Sequence, residues 1–239
     1  MTVFYRKYRP QKFADLVGQE KTREILLAQL TSGKIGHGYL FAGPRGTGKT
    51  STARIFAKAV NCKSFLKPAT GNQKQKFGEP CNKCISCLAV SDGSHLDLVE
   101  IDAASNRGID EIRDLREKIK LAPVSCRFKV YVIDEAHMLT IDAFGAFLKT
   151  LEEPPAHAIF ILCTTAAGKL PPTIISRLAR FNFKRANDEE IVRALRAVAK
   201  SEGLHVEESA FLKIAKSADG SFRDGVSILD QLAARGEIR

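Results

Sequence analysis

The stretch GPRGTGKT, residues 43–50, follows the apolar run GYLFAG and precedes TSTARIFAKAV, which carries apolar residues at helical spacing. A strand, a turn with three glycines and a helix in that order match the phosphate-binding pattern G-x-x-x-x-G-K-[ST] in the context it requires. The physical reason is local. Backbone N–H groups of Gly46, Thr47 and Gly48 can converge on phosphate oxygens at a helix N-terminus, where the dipole favours an anion. Lys49 is then placed to reach the β- and γ-phosphates and the Thr50 hydroxyl to ligate Mg²⁺. Gly43, Pro44, Arg45 and Ser51 complete the candidate nucleotide-binding segment.

The rest of the chain fits the sheet that such a loop needs. Five short apolar runs read as strands: 38–43, 96–103, 129–136, 158–165 and 179–184. Between them lie helical stripes, Ile109, Ile112, Leu115 and Ile119 in one and Phe144, Phe147, Leu148 and Leu151 in another. Prolines follow these helices at Pro123 and at Pro154-Pro155. Strands alternating with helices predict an α/β fold, a mostly parallel five-stranded sheet covered on both faces. After about residue 187 the strands stop. Three helical patterns follow, one ending at Gly203 and the last opened by Ser221 as N-cap. The reading is therefore an α/β domain over 1–186 and a small all-helical domain over 187–239.

The run KVYVIDEAH, residues 129–137, ends an apolar strand in Asp134-Glu135. The first carboxylate can hold the Mg²⁺ shell and the second can polarise an attacking water. Two acids at a strand end are commonplace alone. Behind a phosphate loop they point to hydrolysis of ATP, not to binding only.

Composition narrows the setting. The chain has 37 Lys and Arg against 27 Asp and Glu, a formal net charge of +10. That balance suits a polyanionic partner, although charge also serves plain solvation. No stretch has the length of a membrane span or the apolar core of a signal peptide, so a soluble cytoplasmic protein is expected. In a reducing compartment clustered cysteines favour metal over disulfides. Cys81, Cys84 and Cys87 form C-x₂-C-x₂-C, which needs a fourth ligand to close a structural zinc site. An iron–sulfur cluster and redox-active thiols are the competing readings. Cys126 and Cys163, beside strand-like runs, read as small buried hydrophobes.

Longer motifs add a resemblance. RKYRPQKFADLVGQE, HGYLFAGPRGTGKTSTARIFAKAVNC, EIDAASNRGIDEIRDLREKI, YVIDEAHMLT, LKTLEEPP and TIISR together resemble the gamma/tau subunit of bacterial DNA polymerase III. That family is the AAA+ ATPase of the sliding-clamp loader, and the likeness runs over nearly the whole chain. The resemblance implies an AAA+ domain with a zinc-binding insertion over about 62–87, in which Cys62 supplies the fourth zinc ligand, and a helical lid. It implies an adenine pocket at Tyr8, Arg9, Pro10 and Val17; a basic arm packed on the surface is the plainer reading. It makes Thr165 the residue that senses the γ-phosphate, with Thr164 as its neighbour. Arg177 matches an arginine finger acting on ATP held by the adjacent subunit, though Leu178 stands where the family has cysteine. Arg223 matches the sensor arginine of the lid, with Asp224 as the anion that would otherwise balance it. GAFLKTLEEPP also departs from the family's NALLKTLEEPP, and Ala166-Ala167-Gly168 replace an acidic residue after the threonine.

DNA contact is the remaining implication. Residues 54–83 hold seven Lys or Arg against one Glu, and Arg107 matches a position that tracks the DNA backbone. A solvated basic surface explains the same charge. The partners implied are the other loader subunits, further copies of the chain, the sliding clamp and primed DNA, with ATP, Mg²⁺ and structural Zn²⁺ as cofactors. Nothing after SILDQLAARGEIR resembles the helical collar through which such subunits assemble. A shortened, mostly monomeric chain that hydrolyses ATP slowly is expected.

Overall fold

The structure is a computed structural model, and it describes residues 3–64, 78–105, 115 and 117–236. Five strands are present: β1 Gly38–Ala42, β2 Leu98–Asp102, β3 Lys129–Asp134, β4 Ala158–Thr164 and β5 Ala179–Asn182. Helices include α1 Phe4–Lys7, α2 Glu20–Ser32, α3 Lys49–Asn61, α4 Ile85–Asp92, α5 Ile141–Glu152, α6 Pro172–Ile175, α7 Asp188–Glu202, α8 Glu208–Ser217 and α9 Phe222–Ala234.

All five strands run parallel in the order β2-β3-β4-β1-β5. Alternation along each strand sends its side chains to two separate cores. Leu40, Ala42, Tyr131, Ile133, Phe160 and Leu162 face α5, where Phe144, Phe147 and Leu151 are buried as their spacing predicts. Tyr39, Phe41, Val130, Val132, Ile159 and Ile161 face the other way, onto Ile55, Phe56 and Ala59 of α3. Burial on both faces explains why these strands read as continuous apolar runs. Leu115 and Ile119 of the other predicted stripe are buried. Ile109 and Ile112 lie outside the described residues.

A third core belongs to α7, α8 and α9, built on Ile191, Leu195, Phe211, Ile214 and Leu229. Local signals set these helices. Asn187 and Glu190 form a reciprocal capping box at the start of α7, and Gly203 ends it at φ 68°. Ser221 accepts from the Asp224 N–H to open α9. One boundary differs from the expected 1–186 and 187–239. Helix α1 is assigned to the α/β domain by position, yet Phe4, Tyr5 and Tyr8 pack against the helical core. The Phe4 N–H donates to Asp230 at 3.1 Å, and Tyr8 and Lys7 both donate to Glu202. Apolar side chains on a four-residue helix cannot form a core of their own, so they join the nearest one.

The Phe222 N–H at the start of α9 donates to the Gly46 carbonyl at 3.1 Å, so the glycine-rich loop is stitched directly to the lid.

Candidate nucleotide cleft and cysteine centre

The loop leaves β1 with Gly43 and enters α3 at Lys49. Two glycines are required for steric reasons. A Cβ on Gly43 would lie 2.3 Å from the Phe183 carbonyl oxygen, and one on Gly46, at φ 76°, would lie 1.9 Å from the Ser221 Oγ. Lys49 is 6% exposed, and its Nζ donates to the carbonyls of Gly43 and Pro44 at 2.8 Å each. Burial lowers its pKa, opposed by Cys163, Glu135 and Asp134.

Strand β3 ends two strands away, beyond β4, and delivers the acids. The Thr50 hydroxyl donates to Asp134 Oδ2 at 2.8 Å. Sequence reasoning assigned those two side chains to one cation, and the fold brings them into contact across 84 residues. Glu135 follows at φ 47°, a left-handed conformation, which turns its side chain out of the strand line. Its Oε2 accepts from the Thr165 hydroxyl at 3.2 Å and lies 3.5 Å from His137 Nδ1. His137 Nδ1 also lies 3.0 Å from the hydroxyl of buried Thr164. Of the two threonines weighed from the sequence, Thr165 touches the second acid and Thr164 touches the histidine beside it.

Lys49, Thr50, Asp134 and Glu135 border a cavity of about 660 Å³, while Thr164, Thr165 and His137 stand behind Glu135 and do not line it. Tyr8, Arg9, Pro10 and Val17 from the N-terminal segment line it, together with the loop from Arg45 to Ser51, Asp134 and Glu135. Arg223 lines it from the lid, its guanidinium 4.7 Å from the Tyr5 ring centre, with Asp224 one residue on. Arg193, Ala194, Ala197, Val198 and Val226 complete the lid wall and were missed in the sequence. The only available signal was that Arg193 and Ala197 share a helical face, which is equally true of any surface stripe.

The cysteine cluster lies beyond α3. The sulfurs of Cys62, Cys81, Cys84 and Cys87 are all within 4.8 Å of one another. Four sulfurs at about 2.3 Å from one zinc would be spaced about 3.8 Å apart, so the donor set fits a tetrahedral ion. Backbone N–H groups of Lys83 and Cys84 point at Cys81 Sγ, at 3.4 and 3.3 Å, and the Cys81 N–H at Cys62 Sγ, at 3.4 Å. Such donors suit sulfurs that carry negative charge.

A family model described as "DNA polymerase III, delta subunit" matches residues 18–187. A second, "DNA polymerase III clamp loader subunit, ATPase lid domain", matches residues 190–237. The chain belongs to this DNA polymerase III subunit family. It is 53% identical over 235 residues to the DNA polymerase III subunit tau of Bacillus subtilis, covering 98% of this chain and 40% of that protein. Against the tau subunit of Escherichia coli it is 44% identical over 235 residues, covering 98% and 35%. The chain thus spans about 40% or less of the length of these relatives. Among solved structures the Thermotoga maritima RuvB Holliday junction branch migration motor matches with a TM-score of 0.64 at 18% identity, over 96% of this chain and 67% of that one. That likeness is one of fold: a phosphate-loop sheet followed by a helical lid.

In this DNA polymerase III family member Arg177 stands apart from the cleft. It sits after α6, where its Nη2 donates to Glu152 Oε1 at 2.7 Å and its Nη1 to the Thr173 carbonyl at 2.7 Å. Leu178 belongs to the core on the α5 side of the sheet and is 8% exposed. Arg107 lies outside the described residues.

Cys163 is fully buried, as read from sequence, but Cys126 is only half-buried. Its sulfur lies 3.2 Å from His95 Nε2 and 3.4 Å from the Ser86 hydroxyl. His95, Asp97 and Cys126 are close enough to suggest a second metal. The hydrogen bonds argue otherwise. His95 Nδ1 accepts from the Asp97 N–H at 3.0 Å, so the neutral ring carries its proton on Nε2, the nitrogen facing Cys126. Asp97 is spent on the N–H groups of Val124, Ser125 and Cys126 at 2.7, 2.9 and 3.0 Å. The cluster pins the chain entering β3. Among the described residues no helix is long and apolar enough to cross a membrane.

Proposed function

We propose that this chain is the ATP-hydrolysing body and lid of a bacterial clamp-loader subunit. The observation that carries the reading is the 2.8 Å contact between Thr50 and Asp134 at the foot of a cleft also lined by Lys49 and Glu135. A hydroxyl and a carboxylate so placed would hold Mg²⁺, whose charge would neutralise the β- and γ-phosphate oxygens. The loop's N–H groups would cradle the phosphates, and Lys49 would exchange its carbonyl partners for phosphate oxygens. Glu135 would take the proton of the attacking water, with Thr165 and His137 holding its carboxylate. Tyr8, Arg9, Pro10 and Val17 would enclose the adenine against the lid, and Arg223 would read the phosphates from the lid side.

Arg177 would act in trans. Its place outside the cleft supports this, because its guanidinium is held by Glu152 and the Thr173 carbonyl and does not line the chain's own cleft. Neighbouring copies or other loader subunits would bring it to their own ATP sites, and the ATP-bound assembly would open the sliding clamp on primed DNA in the cytoplasm. Arg107 is the candidate contact to DNA phosphates. The cysteine centre would hold structural zinc, with no open coordination position and hence no part in hydrolysis.

The deciding experiment is titration of fluorescent ATP with and without Mg²⁺ into the wild type, Lys49→Ala and Glu135→Gln. Binding lost in the first variant, and retained without turnover in the second, is the expected result. Turnover by Glu135→Gln at the wild-type rate would sink the assignment. Elemental analysis should find about one zinc per chain. Iron in its place, or loss of less than half the metal from a Cys81→Ser Cys84→Ser double variant, would reject the zinc centre.

A further inference from the structure

A second cavity, of about 410 Å³, opens between the N-terminal segment, α3 and the end of α4. Arg6, Arg9, Arg54 and Lys58 stand on its wall against one carboxylate, Asp92. Arg54 is paired, donating to Glu100 at 2.6 and 2.5 Å. The others are not balanced in this way. Lys58 is only 2% exposed, and its ammonium meets the amide oxygens of Gln11 and of Asn82, the latter at 3.2 Å. Among the described residues no carboxylate forms an ion pair with Lys58, Arg9 or Arg6.

A buried ammonium held only by amide oxygens is costly, and Arg6 and Arg9 around the same space add repulsion that Asp92 offsets in part. Burial lowers the pKa of Arg9, and the neighbouring Arg54 charge lowers it further, against the pull of Glu100. Burial does the same to Lys58, against the through-space pull of Cys87 and Asp92. Such a wall is stabilised by an anion. The apolar lining is limited to Pro10, Ile55 and Val90, with no aromatic side chain to stack on a base. The occupant is therefore recognised by charge.

We infer that this cavity is a second anion site, built for a phosphate oxyanion and separate from the phosphate loop. Two sources share that chemistry, a free small anion such as pyrophosphate and a phosphate of a nucleic-acid backbone. Arg9, Pro10 and Gln11 line both cavities, so the second site adjoins the nucleotide cleft, and none of the loop residues 43–50 lines it.

The test uses the whole chain with its cleft saturated by Mg²⁺ and a non-hydrolysable ATP analogue. Absence of analogue binding would count against the cleft reading and is measured first. Calorimetric titration with inorganic pyrophosphate should then show one further site, weakened at least tenfold by Arg6→Glu and by Arg54→Gln. Arg196→Glu, at a residue that pairs with Glu208 and lines neither cavity, should leave it unaltered. Arg6 is exposed, so its variant tests the site without disturbing a core. A fluorescent 12-nucleotide single strand forms the second arm. Displacement by pyrophosphate, with the same sensitivity to Arg6→Glu, would assign the site to backbone phosphates, and binding of pyrophosphate alone would assign it to a free anion. No pyrophosphate site and no Arg6-dependent strand binding, or binding that both variants leave unaltered, would overturn the inference.

Discussion

The two walls of the nucleotide cleft are made in different ways. The sheet wall presents backbone: the loop from Gly43 to Gly48, held where β1 runs between β4 and β5, followed at once by the first turn of α3. The lid wall presents side chains: Ala194, Ala197, Val198 and Val226, with Arg193 and Arg223 at its rim. Backbone N–H groups recognise any phosphate and tolerate little change in chain path. Side chains shape a pocket and can be altered singly. The first wall should therefore fix whether a triphosphate binds at all, and the second how well the base is held.

The largest effect is expected from a residue on neither wall. In a collar-containing assembly Arg177→Ala should slow ATP turnover by about 10³-fold, the scale of an arginine finger supplied in trans. In the present chain alone the same change should be silent. Equal, fast turnover in both preparations would make Arg177 a structural partner of Glu152 and nothing more.

On the sheet wall, Glu135→Gln should lower kcat by about 10²-fold or more while ATP affinity stays within a few-fold, as expected for loss of a general base. Lys49→Ala should instead remove binding. If both variants lose affinity alike, the division between holding phosphate and activating water fails.

The lid wall is probed by Ala197→Glu, which narrows the base side of the cleft. ATP affinity should fall about tenfold, equivalent to about 1.4 kcal/mol, while affinity for inorganic triphosphate stays the same. An equal loss for both ligands would mean that the two walls do not divide the work. The smallest effect concerns the seam between them. Ser221→Ala removes the cap of α9 beside Gly46 and should cost about 1 kcal/mol of stability in urea denaturation. No change in the midpoint would show that the Phe222–Gly46 hydrogen bond alone holds the seam.

What could be read beforehand follows the same division. The glycine-rich loop and Asp134-Glu135 are short motifs set by neighbours in sequence, so the meeting of residues 45–50 with 134–135 at one cleft could be anticipated from them. The five strands were legible because both faces are buried. Cys62 entered through resemblance, since nothing in a lone cysteine at a helix end says that it will meet Cys81, Cys84 and Cys87. The lid wall was illegible because Ala194 and Ala197 are ordinary helix residues until the lid is docked. Cys126 was misjudged for a related reason. Its environment comes from His95 and Ser86, which reach it through the tertiary fold. Helix α1 was read with the α/β domain from chain order, whereas its Phe4, Tyr5 and Tyr8 pack on the helical core, which chain order does not reveal.

Glu135 has one more consequence. Its φ of 47° is a backbone setting that glycine adopts freely and a glutamate does not, at a cost of about 1 kcal/mol or more. The carboxylate is nevertheless kept there, so the fold is held below the stability it could reach. A laboratory population selected only for heat resistance, with replication supplied by another gene, should therefore drift toward glycine or asparagine at this position. Each such survivor would be a sturdier protein and, if Glu135 activates the water as proposed, one that binds ATP without cleaving it.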